Sequence, residues 1–144
     1  MTTIIAIPLI AIFLFLSGLH VYWGFGGQWG NGAVIPTKDN NEKAMMPGVL
    51  PTFIVALGLL SFGLVVFLNS IELDYKLPFW LYKVHKYGLW IIVSIFIVRA
   101  IGDFNYIGFF KKYQQTKFGQ NDTKYYSPLC LTIGILTIIL ELNK

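Results

Sequence analysis

Apolar residues in this chain fall into four blocks, and nearly all the Lys, Asp and Glu residues lie between them. The blocks are TIIAIPLIAIFLFLSGLHVYW at 3–23, PTFIVALGLLSFGLVVFLNSIEL at 51–73, WLYKVHKYGLWIIVSIFIVRAIG at 80–102 and PLCLTIGILTIILEL at 128–142. Each approaches the roughly 20 residues a helix needs to cross a hydrocarbon core of about 30 Å. The pattern predicts an all-α, polytopic membrane protein, a bundle of four transmembrane helices. The first block resembles a signal peptide in position only. It has no basic leader and no small-x-small cleavage site, so a retained membrane helix is expected there. The fourth is the shortest, and Tyr125 and Tyr126 extend it as an interfacial rim.

Composition strengthens this reading. The 144 residues allow one domain, and 56% are hydrophobic against 12% charged, far from the about 25% charged of soluble chains. The mean hydropathy is +0.64. A net charge of +4 would suggest nucleic acid in a soluble protein. Here the lysines flank apolar blocks, so anionic lipid headgroups are the expected partner and nucleic acid is not. The segment FFKKY at 109–113 has the make-up of an interfacial anchor. The single cysteine, Cys130, lies within the fourth block, so no internal disulfide exists.

Four crossings put both termini and the short middle loop on one side of the membrane. The long first loop, about 24–50, and the third, about 103–127, then share the other side. Lys38, Lys43, Arg99, Lys111, Lys112, Lys117 and Lys124 belong to the long-loop side, against Lys76, Lys83, Lys86 and Lys144. That count leans toward cytoplasmic long loops by a small margin. No repeat, low-complexity tract or separable soluble domain interrupts the pattern.

The candidate chemistry gathers where the first and third helices exit, because those exits face the same side. His20 lies at one, and Arg99, Gly102 and Asp103 at the other. A mid-bilayer Arg costs about 2.5–3.5 kcal/mol on insertion scales, so Arg99 either pairs, lines a wet cavity or snorkels to the headgroups. Asp103 follows a helix end whose dipole disfavours it. Either a partner across space compensates it (His20, Arg99, Tyr22 or the indoles of Trp23 and Trp29), or Gly102 ends the helix and leaves Asp103 as the first loop residue. The stretch GFGGQWG is either a backbone-rich segment folded against the bundle end beside His20 or a Trp-rich interfacial turn. It is not a nucleotide loop, since no strand precedes it and Trp29 stands where the last glycine of GxGxxG belongs. His85 belongs to the opposite side from His20, so the two cannot share a metal, and no cofactor or metal ligand set is expected. Ser17, Ser61, Ser94, Thr132 and Thr137 are expected as interhelical hydrogen-bond glue, with Gly58, Gly63 and Gly134 as close packing points. Asn121, Asp122 and Thr123 spell a glycosylation sequon.

Three stretches, LHVYWGFGGQWG, RAIGDFNYIGFFKK and DTKYYSPLCL, together resemble the bacterial membrane proteins catalogued as domain of unknown function 3995. The resemblance covers nearly the whole chain and implies a small four-helix integral protein of the bacterial cytoplasmic membrane. It implies no reaction. It marks His20, Tyr22, Trp23, Gly26, Gly27, Trp29, Arg99, Gly102, Asp103, Asp122, Tyr126, Ser127 and Pro128 as motif positions. The expected ligand-binding set is therefore His20, Tyr22, Trp23, Gly26, Gly27, Trp29, Arg99, Asp103 and Asp122, holding a small polar or anionic ligand or a lipid headgroup. Two rivals stand beside it: an accessory subunit of a larger membrane complex, in which these residues lock helices and loops together, and a membrane enzyme or proton-coupled transporter using His20 and Asp103. No catalytic signature supports the last.

Overall fold

The computed structural model describes residues 2–40, 47–71 and 78–144. Lys43 and Lys76, counted above for orientation, lie outside these residues, as do Glu72 and Leu73 at the end of the second block. Four helices are long and apolar enough to cross a membrane. They are α1 (Thr2–Gly24), α3 (Val49–Ser70), α4 (Phe79–Ile101) and a last span made of α5 (Lys117–Asn121), a π-helical turn (Asp122–Tyr126) and α6 (Ser127–Asn143). A four-residue helix, α2 (Asn31–Val34), interrupts the first long loop. At most 33% of the most apolar window of any span is buried inside the protein. The remaining apolar side chains face outward, an arrangement that water would penalise and lipid does not.

The bundle closes as a ring in which α1 packs on α3, α3 on α4, α4 on α6 and α6 on α1. Its centre holds three phenylalanines from three helices. Phe13 stands 5.9 Å from Phe62 and 5.6 Å from Phe96, and those two are 6.1 Å apart. Tilted, edge-on rings at these separations are favourable beyond the area they bury. Small residues let the helices approach. Gly134 lies under Ile97, where a Cβ would come within 2.6 Å of the side chain, and Gly63 faces Phe13. Gly58 meets no neighbour and is not a packing point. Of the hydroxyls, Ser17 does cross between helices, donating to Ala56 O at 2.8 Å. Ser61, Ser94, Thr132 and Thr137 instead donate to the carbonyl four residues back in their own helix. That bond is available without any partner helix, which is why spacing alone mistook them for glue.

The fourth span starts at Lys117, well before its apolar block at 128–142. Thr116 caps α5, its hydroxyl accepting from Gly119 N at 2.9 Å, so a polar stretch that reads as loop is helical. Pro128 then forces an irregularity. Having no N–H, and with a ring that crowds the carbonyl of residue 124, it cannot continue a regular α-helix. The preceding turn widens instead, and Ser127 N bonds Asp122 O five residues back.

At the termini end, Lys144 Nζ donates to Asn69 Oδ1 on α3 at 3.0 Å and to His85 O on α4 at 2.9 Å. It also pairs with Glu141 at 2.7 Å. Three helices are thereby tied at one end.

Because lipid removes most of the transfer energy of apolar burial, the core is held chiefly by packing contacts. Phe13→Ala is expected to lower stability by about 3 kcal/mol or less, beneath the about 3–5 of water-soluble cores. Unfolding of purified protein in mixed detergent micelles measures it.

Candidate functional site: a buried carboxylate at the loop end

The side chain that organises the loop end is Asp122, wholly buried. Its Oδ1 accepts from Arg99 Nη2 at 2.8 Å. Its Oδ2 accepts from Gly108 N at 2.8 Å and Ser127 Oγ at 3.1 Å, and lies 3.1 Å from Lys111 Nζ. Three hydrogen bonds and a second cation thus converge on one carboxylate. The π turn is what brings Ser127 into this set. In an ideal α-helix residues five apart point about 140° away from one another, whereas the wider turn sets them on one face.

Lys111 is equally enclosed, its side chain fully buried. It also donates to Gly108 O at 2.9 Å and to Thr123 Oγ1. Two of its N–H groups are thus hydrogen-bonded, and its charge is answered by Asp122. It is not the snorkelling anchor that FFKKY suggests. Only its neighbour Lys112 is exposed, with its ammonium 5.8 Å from the Tyr113 ring. Arg99, in the last turn of α4, keeps its side chain 28% exposed, and its Nη1 is buried without a hydrogen-bond partner. Two cations surround one anion, so the cluster carries an excess positive charge.

The loop between α4 and α5 folds to deliver these groups. Gly102 and Gly108 both adopt positive φ, 92° and 90°, and their backbones cross so closely that a Cβ on either would collide with main-chain atoms of the other strand of the loop. Phe109 N bonds Ala100 O at 2.9 Å, closing the crossing. Within the loop, Asp103 Oδ1 accepts from the backbone N–H groups of Asn105, Tyr106 and Ile107 at 2.9, 2.7 and 3.0 Å. Those bonds, the one from Ile107 foremost, hold its carboxyl below its ordinary value. Asp103 is exposed. Gly102 ends the helix and Asp103 is a loop residue, the second of the two sequence readings. It does not meet Arg99 or His20.

His20 also stands apart. Its Nδ1 lies 2.8 Å from Leu16 O, which places the proton on Nδ1 and leaves Nε2 as the acceptor of the neutral ring. Its ring meets Trp23 edge-on at 5.2 Å. Among the described residues no hydrogen bond or ion pair joins His20 to Arg99, Asp103 or Asp122. The Gly/Trp segment closes on itself: Trp23 Nε1 donates to Trp29 O at 2.8 Å, and Gly27 N to Tyr22 O at 3.0 Å. Trp29 N reaches Tyr22 Oη at 3.4 Å. Gly27 sits under the Tyr22 ring, and Gly26 has φ 88°. Phe25 packs edge-on against Phe53 of α3, so the segment folds over the rim of the α1–α3 pair. The nine-residue set thus divides in three: Arg99 with Asp122, then His20, Tyr22, Trp23, Gly26, Gly27 and Trp29 around their own turn, and Asp103 by itself on the backbone of its loop. The loops do touch farther on, where Tyr126 Oη donates to Ala33 O at 3.0 Å and Lys117 N to Asn40 Oδ1 at 3.0 Å.

Lys111, Gly108 and Ser127 were not in the expected set of ligand-binding residues. Lys111 and Gly108 fall in the GFFK motif and Ser127 in the YSPLC motif, which is the one signal that singles them out. The sequon Asn121-Asp122-Thr123 is wound into the α5 and π-turn segment, its central residue buried.

Asp122→Asn leaves two cations without their shared anion and is expected to cost about 3–5 kcal/mol. Lys111→Met is expected to cost less, because Arg99 still answers the carboxylate. Denaturant titration in detergent orders the two. Asp103 contributes stability that is complete above the ordinary carboxylate range and is lost as pH falls through its lowered folded value. An Asp103→Asn protein should therefore show a smaller loss of thermal stability on acidification than the parent.

No curated protein and no solved structure matches the chain. The family model described as protein of unknown function (DUF3995) matches residues 13–137. That span includes His20, both glycines of the crossing, and every member of the Arg99–Lys111–Asp122 cluster. Most of the sequence being matched, the chain belongs to this DUF3995 family.

Proposed function

We propose that the protein is a multi-pass component of the bacterial cytoplasmic membrane that binds an anionic group, a lipid phosphate or a small free oxyanion, on the exposed face of Arg99. The observation that carries this reading is the surplus charge: Asp122 neutralises one of its two cations, Lys111 is fully enclosed, and of the two cations Arg99 alone keeps part of its side chain open. A planar guanidinium fork already tethered at one nitrogen is pre-oriented for an oxyanion. The setting supports it. Phe104, Phe110 and Tyr125 are exposed at the same end, with Lys112 and Lys124 against neighbouring rings, the amphipathic collar expected at headgroup depth. The subunit reading draws on the opposite fact, that Asp122 and Asp103 are satisfied within the chain.

Protein in nanodiscs of phosphatidylglycerol should melt higher than in phosphatidylcholine. Inorganic phosphate titrated onto the phosphatidylcholine sample separates a free anion from a lipid one. Arg99→Lys keeps the charge opposite Asp122 but removes the fork, and is expected to weaken the response about tenfold. An unchanged response in that variant rejects the site.

A further inference from the structure

A second polar site lies where the two long loops meet. A cleft of about 510 Å³ opens between the α2 region and α5, lined by Gly32, Thr37, Asp39, Asn40, Gln115, Lys117 and Gln120. Its walls are held in register by the Lys117 N to Asn40 Oδ1 bond and, behind them, by Tyr126 on Ala33. Its lining contains no aromatic or aliphatic side chain. The residues that line it carry one carboxylate, one ammonium, three amides and a hydroxyl.

That composition selects a charge pattern. A simple anion would meet Lys117 but also Asp39, and a simple cation the reverse, so each loses to the like charge what it gains from the opposite one. A neutral polyol would find the amides but no stacking surface. An overall-neutral molecule with separated charges satisfies both, its ammonium toward Asp39 and its oxyanion toward Lys117. A carboxylate has room for about four hydrogen bonds, so Asp39 can take an ammonium in addition to its own neighbours. We infer that this cleft binds a small zwitterion bearing a primary ammonium and an oxyanion, either free in solution or as the ethanolamine headgroup of a membrane lipid. The site is separate from Arg99 and does not depend on the anion reading there.

Gly32 allows a clean block. A Cβ built on it meets nothing within 4 Å, so Gly32→Phe directs a ring into open space. The test is calorimetric titration of the full chain in detergent with sn-glycero-3-phosphoethanolamine, whose phosphodiester and ammonium sum to zero, beside inorganic phosphate and ethanolamine as controls carrying one sign of charge. Thermal shifts in phosphatidylethanolamine against phosphatidylcholine nanodiscs provide the lipid arm. The expected result is saturable binding of the zwitterion, or a phosphatidylethanolamine-specific shift, weakened at least about tenfold by Gly32→Phe and by the exposed-residue change Lys117→Met. Binding in solution assigns a free ligand, and a response confined to nanodiscs assigns the lipid. Equal binding of phosphate alone, equal binding by Lys117→Met, or no response in either arm overturns the inference.

Discussion

The loop end depends on keeping one carboxylate ionised out of water. Removing such a charge from solvent costs several kcal/mol even after relaxation, and only close opposite charge with filled lone pairs offsets it. Asp122 therefore dictates much of what surrounds it. The α4 helix must place Arg99 in its last turn, the following loop must turn sharply enough to aim Gly108 N and Lys111 inward, and the last span must widen so that Ser127 reaches the same oxygen. Two glycines with positive φ and one proline make this possible.

The middle of the bundle obeys a different economy of forces. Lipid tails are as apolar as leucine, so burial there adds little, and complementarity of rings and small residues decides which helix lies beside which. Phe13, Phe62 and Phe96 join three helices in this way. The polar contacts are pushed to the two rims, where the Asp122 cluster closes one end and Lys144 bridges α3, α4 and α6 at the other. A bundle fastened at both rims and packed by shape between them needs no large soluble domain to define its topology.

The two proposed sites differ in how they were formed. At Arg99, a structural ion cluster leaves charge over, and any recognition is a by-product of how the fold is held. At the inter-loop cleft, the chemistry of the space is set by which short polar segments the rims bring together. Both lie on the long-loop side, so the loops rather than the spans carry whatever selectivity the protein has.

The sequence by itself determined the number of spans, their order, and that the two long loops share a side, because span length and apolarity are local properties set by bilayer thickness. It also marked Arg99 and Asp122, one as a costly charge within an apolar block and the other through its motif. It could not pair them: Asp103 is the nearer carboxylate, four residues from Arg99, whereas the partner is Asp122, 23 residues away. Nor could it separate Lys111 from Lys112, identical neighbours of which one turns inward and one stays out. Those choices belong to the path of the 102–116 loop and the π turn before Pro128. They are long-range: whether a charge is buried, and beside what, is settled only when three distant segments have been brought to one point.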